Sequence, residues 1–438
     1  PRLRRALAHD GGWPMHADAT CEDGRGTMLV ILAGWRRWAL GAWKIPTENA
    51  EAILACARLT IQRFGEPCTV MRDLGRAMIS ACEDLVAGRR ATIKVLACHS
   101  HFLADVGCDL LKPGHDALRN ALRRLKIRGA LRTFARDMSR ELGDELETAR
   151  EGFRDWQQQE PKSNDLPAGD AGIAIVRGLA QWVFDYAATE KSRNFPLDRP
   201  YLDLYDRSVR ARRVVDGWLR TPPKDRRVLR VLRRLGRVLD PVRQEPGLAH
   251  VVRDLRVRAN LFDELRKTLR LSPGSYGRSQ LWSKRPLTLR QARQELRDVH
   301  AALKRFTASL RGRRPQRGPA QDLREAIDVI LNHLKRHGKS LWGHEVRLPA
   351  EAGGGVRLVD RTNNLSEHFF HGIKHGERRR SGRKNLARDL ELLPPESALV
   401  QNFNHPDYVE IVCGSLERLP RVFAEMDAAE RRKSPPRS

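Results

Sequence analysis

No stretch of this chain offers the roughly 18 uninterrupted apolar residues that a membrane span requires, and its basic residues are not gathered beside one apolar helix. A membrane is therefore not an expected partner. The seven cysteines lack the dense, regular spacing of a secreted disulfide scaffold, and no signal peptide is recognisable, so a reducing, cytoplasmic setting is expected. There is no internal repeat, and no Ser-His-Asp or Cys-His nucleophile arrangement stands out; no small-molecule cofactor is expected either. Acidic charge is scarce, with 54 Asp and Glu against 81 Lys and Arg and a net charge of +27. Such an excess makes a polyanion the first expected partner, and nucleic acid suits basic residues that are spread over several segments. An arginine-rich genome alone can raise this count, so the charge needs motifs beside it. The first residue is Pro1 and not Met, which leads to the expectation that a segment lies upstream.

What is present reads in two styles. A chain of 438 residues can hold two or three packed domains without structural metals or disulfides. Trp13 to Thr20, Thr27 to Ala33 and Trp38 to Ile45 are apolar runs parted by Gly24–Gly26 and Gly34–Arg37, the pattern of an antiparallel meander. Thr47 can cap a helix that runs to Phe64, with Ile53, Ala57, Ile61 and Phe64 as its apolar stripe and Gly65 and Pro67 as its stop. Cys68 to Asp73 and Thr92 to Cys98 read as buried strands around a helix from Arg76 to Val86. From about Phe102 to Trp342 the apolar spacing is helical, as in Val228, Val231, Leu232 and Leu235, with loops at Glu160–Ala168, Thr221–Lys224, Ser272–Gly277 and Arg311–Pro319. Ala352–Gly355 is a joint before Val356 to Val359 and a last run of helices.

Three acids draw attention against this frame. A carboxylate at the end of a buried strand is unfavourable unless a cation compensates it, and metal coordination is the usual compensation. Asp18 sits in WPMHADAT and Asp73 ends PCTVMRD; either alone could simply cap a turn. Glu367 follows in DRTNNLSEHFF, where Thr362 or Asn363 can cap a helix. On that helix Leu365, Phe369 and Ile373 form an apolar stripe, while Glu367, His371, Lys374 and Arg378 share another side.

With these residues in place, the sequence resembles the DDE transposases of the ribonuclease H-like superfamily, of the bacterial insertion-sequence and Mutator-like kind with a helical insertion and a C-x-x-H motif. The likeness is carried by HADAT with Asp18, VMRD with Asp73, Cys98 and His101 in KVLACHSHF, and RTNNLSEHFFHGIKHGERRRSGRK with Glu367. NFPLDRPYLDLYDR also looks like a segment of such insertions. The resemblance implies an α/β fold, a ribonuclease H-like mixed sheet with helices on both faces, interrupted by a large all-α insertion. Its expected division is a remnant or linker at 1–12, the first part of the core at 13–104, the helical insertion at 105–350, the last part with C-terminal helices at 351–427, and a disordered basic tail at 428–438. It further implies that Asp18, Asp73 and Glu367 hold two Mg²⁺ or Mn²⁺ ions. Such a pair activates water at a transposon end and then directs the freed 3′-hydroxyl onto target DNA. DNA is the implied partner, a homodimer or larger assembly the implied state, and the neighbourhood of a bacterial nucleoid the implied place. A related nuclease that cuts without joining would use the same acids, and a domesticated, noncatalytic DNA-binding protein is the alternative of another class.

Cys98 and His101 have the spacing of zinc ligands, but no second pair completes a set of four, so a structural role at the strand end is expected; His99 could take the part of His101. Asn363, Asn364, His371, Lys374, Arg378, Arg379, Arg380, Arg383 and Lys384 are expected to touch DNA, as are Arg226, Arg227, Arg230, Arg233 and Arg234. A solvated face explains any one such run, and Arg207–Arg213 and Arg311–Arg317 are others; collectively they outline a DNA path. Trp13, Trp35, Trp38 and Trp43 are read as core. Trp182, Trp218, Trp282 and Trp342 are read as core or as stacking platforms. A module that reads transposon ends is expected upstream of Pro1.

Overall fold

The structure is a computed structural model that describes residues 1–87, 93–145, 147–148, 151, 166–188, 195–271, 288–318 and 320–433. The expected loops at Glu160–Ala168 and Ser272–Gly277, Trp282 and the end of the basic tail lie wholly or partly outside them. The chain divides into two units. The first comprises Pro1–Asp105, Arg266–Ala308 and Asn332–Ser438, the second Val106–Leu265 and Ser309–Leu331.

The first unit is mixed α/β. The expected meander forms as β1 (Pro14–Glu22), β2 (Arg25–Ala33) and β3 (Trp38–Lys44), and β4 (Thr69–Arg72) and β5 (Lys94–Ala97) extend it to five strands in the order β3-β2-β1-β4-β5. Pairing is antiparallel among the first three strands and parallel from β1 through β4 to β5. β2 reads as one apolar run because it is covered on both faces. Leu29, Ile31 and Ala33 enter one cluster with Ile53, Ala57 and Ile61 of α2 (Ala50–Phe64) and Met78, Cys82 and Leu85 of α3 (Arg76–Val86). Met28, Val30 and Leu32 enter another with Phe370 and Ile373 of a later helix. Asn49, and not Thr47, caps α2, its side chain accepting from the Ala52 N–H at 2.8 Å.

The first twelve residues are not a linker. They form α1 (Arg2–His9), whose Leu3, Ala6 and Leu7 have helical spacing and pack onto the core, Leu7 fully buried. A second small sheet, β6 (Glu345–Arg347) against β7 (Val356–Leu358), was not expected from the sequence.

The second unit is helical. It contains the greater part of α4 (His99–Arg124), then α5 (Ile127–Leu142), α6 (Gly169–Ala188), α7 (Pro200–Arg220), α8 (Arg226–Gln244) and most of α9 (Pro246–Thr268). α8 shows why these sequences choose helix. Asp225 caps it by accepting from Arg227 and Val228, and Val228, Leu232, Leu235 and Leu239 bury one line of it. The helical unit covers less of the chain than the stretch 105–350 read as helical insertion from the sequence. Arg266–Ala308, with most of α10 (Leu289–Arg313), and Asn332 onward, with the end of α11 (Gln321–His337), belong to the first unit. Helical periodicity alone cannot tell which core a helix serves.

The chain ends with α12 (Asn364–Ser381), α13 (Ala387–Leu392), α14 (Ser397–Val400), α15 (Pro406–Cys413) and α16 (Leu419–Lys433), so helix extends into the stretch expected to be disordered. Among the described residues no helix is long and apolar enough to cross a membrane.

Candidate active site

The strand register places the first two acids side by side. β1 and β4 run parallel with His16 opposite Met71, so Asp18 and Asp73 follow at the same end of adjacent strands, about 5 Å apart in the sheet direction. Asp18 is buried, and its Oδ1 accepts from the Ala19 N–H at 2.9 Å. Asp73 is half-buried just past β4 and turns the chain into α3, its Oδ1 accepting from Gly75 N–H at 3.0 Å.

Glu367 arrives on the first turn of α12, where the helix dipole favours a carboxylate. The buried line of this helix is Ser366, Phe370 and Ile373, with Leu365 and Phe369 only partly covered. His101, on the first turn of α4, brings its Nε2 to 4.0 Å from Glu367 Oε1.

Electrostatics show that these groups feel one another. Burial, and after it the charge of Asp73, raise the Asp18 carboxyl from 3.8 to about 7; Glu367 adds to the rise, while His101 opposes it. Burial also raises Glu367, with His101 pulling it back. For His101, burial works against the proton, but Cys98, Asp18 and Asp73 outweigh it and lift the imidazole to about 10. A cation thus sits among three acids. Glu48, before α2, is a fourth acid nearby that the sequence did not single out; burial first and Asp73 second raise its carboxyl.

Asn363 organises the site. It was expected to contact DNA, and it is fully buried. Its Nδ2 donates to Asp18 Oδ2 at 3.0 Å, its Oδ1 lies 2.9 Å from both His16 Nδ1 and Ser366 Oγ, and its backbone N–H points at Cys98 Sγ at 3.2 Å. The amide therefore orders Asp18 and does not cap α12 with its side chain. The Oδ1 acceptor implies that His16 carries its proton on Nδ1. The sequence held a signal for His16, which lies two residues before Asp18 and so on the same face of an otherwise apolar strand. Gly34 makes room for that ring: a Cβ there would lie 2.6 Å from His16 Nε2.

Cys98, at the end of β5, accepts from the Asn363 N–H at 3.2 Å and so links the strand end to the start of α12. His99 is buried behind it. Its Nε2 lies 2.9 Å from the Leu341 carbonyl, and Arg361 Nη1 approaches its Nδ1 at 3.3 Å, so the imidazole proton belongs on Nε2. Arg361 is itself buried and donates to the carbonyls of Leu269 at 2.8 Å and Arg270 at 3.4 Å. Burial lowers its guanidinium to about 9.

The remaining residues expected on DNA divide. On α12 and beyond it, His371, Arg379 and Lys384 are exposed and Asn364 is half-buried. Lys374 donates to the Cys21 carbonyl at 3.0 Å, and Arg378 meets Glu22 at 3.4 Å. Arg380 pairs with Glu377 at 2.7 Å and Arg383 with Asp389 at 3.4 Å. In the helical unit Arg226, Arg230 and Arg233 are exposed, whereas Arg227 is paired with Glu141 and Asp170 and Arg234 with Asp137. Trp13, Trp38 and Trp218 are core; Trp342 stacks on His300 at 4.3 Å, and Trp182 lies under the Arg207 guanidinium.

The donor set suits hard cations: carboxylate oxygens from three segments, one of them held in burial at a raised pKa. Among the described residues no three His, Cys, Asp or Glu side chains stand close enough together to hold a metal ion as they are placed. Comparison with family profiles, with curated proteins and with solved structures found no match to this chain.

Proposed function

We propose that this chain is a DNA transposase of the DDE type, with a ribonuclease H-like core that cuts at transposon ends and joins them to target DNA. The reading rests on one observation. Asp18 lies beside Asp73 in the register of β1 and β4, and Asn363, hydrogen-bonded to Asp18, begins the helical turn that carries Glu367, so the three acids come from three separate segments of the chain. A meander extended by two parallel strands and covered by helices on both faces is also the sheet this reading requires.

Asp18, Asp73 and Glu367 would hold Mg²⁺ or Mn²⁺. When bound, such a pair of ions lowers the pKa of an attacking water or 3′-hydroxyl and neutralises the oxygen that leaves phosphorus. The chain's own groups do the rest. Asn363 fixes the rotation of the Asp18 carboxylate, so its oxygens need no reorientation when the site is loaded. His101 stays protonated at neutral pH beside Glu367 and offsets part of the negative charge of the acids, while leaving them free to accept a metal. The exposed Arg379 and the neighbouring arginines of α12 lie on the helix whose first turn carries Glu367 and so extend from the site along a line that phosphates can follow.

The test incubates labelled DNA carrying the element's ends with wild type and with Asp73→Asn in Mn²⁺. Nicked and joined products are expected from wild type alone, with a loss of at least about a thousandfold in the variant, as for removal of a group acting at the transition state. Cutting without joining would favour the nuclease reading, since the three acids serve both. Products that persist in Asp73→Asn would remove both.

A further inference from the structure

The helical unit carries a groove that the functional reading has not used. It is about 890 Å³ in volume and lies among the C-terminal half of α4, the first turns of α5, α7 and α8. Its floor is apolar, made by Leu122, Leu204, Val238 and the ring of Tyr201. Its walls are basic: Arg119, Arg123, Lys126, Arg128 and Arg234. Two of these have carboxylate partners, Arg119 with Asp116 at 3.5 Å and Arg234 with Asp137. Arg123, Lys126 and Arg128 are exposed, and no carboxylate stands against them among the described ion pairs.

The cations are ordered along the helices. Arg119, Arg123 and Lys126 recur at helical spacing on one side of α4 and its end, and on α8 the exposed Arg230 and Arg237 flank Arg234 four residues before it and three after. The groove therefore has a row of cations along its α4–α5 side, Arg234 on its α8 side, and apolar side chains between them. A duplex presents only phosphates and sugars to such cations and leaves the apolar side chains unused. A strand whose bases are unpaired uses both, with phosphates on the arginines and lysine and base faces on the partly exposed Tyr201 and Val238. The Tyr201 ring is held for this by His115, whose ring centre lies 5.2 Å away.

We propose that this groove binds a single-stranded segment of DNA. The inference deepens the transposase reading, in which strands are freed by cutting, and it names a site outside the carboxylate centre. Charge complementarity selects the occupant: an acidic protein could meet the cations, but an aromatic ring and apolar side chains beside the row of Arg123, Lys126 and Arg128 match alternating base and phosphate.

The experiment measures binding of the full chain to a labelled oligothymidylate and to a duplex of equal length, by fluorescence anisotropy in EDTA, over a series of salt concentrations. Arg123→Glu/Lys126→Glu/Arg128→Glu is compared with a control reversing the exposed Arg5, Arg58 and Arg63, and with Tyr201→Leu; circular dichroism checks that each is folded. The groove variant is expected to weaken single-strand binding on the order of 30-fold and to flatten the log–log salt dependence by about 2, near 0.7 for each lost phosphate contact. The control should change affinity severalfold at most. Tyr201→Leu should cost about tenfold with the salt slope unchanged, and should spare the duplex. An unaltered slope in the groove variant overturns the site. Equal losses for duplex and single strand, with Tyr201→Leu silent, overturn the choice of occupant. Loss of self-association with DNA binding intact would do the same and identify a second copy as what the groove holds. Because no metal or cleavage enters this assay, its failure leaves the carboxylate mechanism standing, and failure of that mechanism leaves the groove.

Discussion

Asp18→Asn should make the metal-free protein more stable, and increasingly so as pH rises. The wild-type carboxyl titrates near 3.8 when unfolded and near 7 when folded, so its contribution is most favourable below 3.8 and is lost as pH rises through the folded value. A tenfold displacement of a proton equilibrium is worth about 1.4 kcal/mol, which makes the full loss at high pH about 4 kcal/mol. By pH 5 about 1.7 kcal/mol of this is already lost; the interval from pH 5 to pH 8 carries the remaining ~2.5 kcal/mol. Asparagine has no such titration. It can still accept the Asn363 amide proton but gives up one acceptor, a cost of about 1 kcal/mol that does not vary with pH. The quantity to measure is therefore the widening gap between the two stability curves, from urea unfolding in EDTA at pH 5, 6, 7 and 8. A further arm adds Mn²⁺ at pH 8, which should stabilise wild type by mass action and the variant much less. Parallel curves across this range would refute the assignment, since a carboxyl titrating normally in the fold gives no widening.

Three other substitutions probe the surroundings. Asn363→Leu removes every side-chain hydrogen bond to His16, Asp18 and Ser366, and chemical denaturation should register a loss of about 3 kcal/mol or more; a near-neutral result would mean the amide is not the organiser. Gly34→Ala puts a methyl 2.6 Å from His16 Nε2, so a drop of about 1–3 kcal/mol is expected in the same assay, and His16→Ala should relieve it in the double variant. Arg361→Met keeps the length of the side chain but leaves the Leu269 carbonyl without its donor in a buried place; the melting temperature should fall by several degrees, whereas an unchanged value would show that water replaces the guanidinium.

The meander, α2, α3 and the two parallel strands were legible because each announces itself locally, by alternation, by a helical stripe or by glycine at a turn. Asp18 and Asp73 were legible for a related reason, since one interrupts an apolar strand and the other directly follows one. The limits of the helical unit were not. Helical spacing says which face of α10 or α11 is buried and nothing about the core it is buried in, so the chain's return at Arg266 left no mark in the sequence. Pairing of ions was equally hidden. Arg226 and Arg227 look alike in the string, yet Arg227 meets Glu141 and Asp170, which precede it by more than fifty residues, while Arg226 is exposed. Asn363 was misread because a polar residue before a helix reads as a cap, and only the fold reveals a buried histidine and aspartate on its other side.

The manner in which Glu367 is delivered explains why RTNNLSE carries more information than the other motifs. Asp18 and Asp73 are placed by strand pairing, a backbone device that many sequences can satisfy. Glu367 has no strand to hold it. Two buried polar anchors set the start of its helix: Arg361, fastened to the carbonyls of Leu269 and Arg270, and Asn363, fastened to Asp18, His16 and Cys98. Each must be this residue type, because a buried guanidinium or amide left with unmatched partners costs more than its removal gains. From Asn363 to Glu367 is one helical turn, which returns the acid to the side of the helix that carries the Asn363 amide. The third acid is thus positioned through the first: the amide that orients Asp18 also fixes the turn from which Glu367 extends, and a substitution at Asn363 should disturb both acids together.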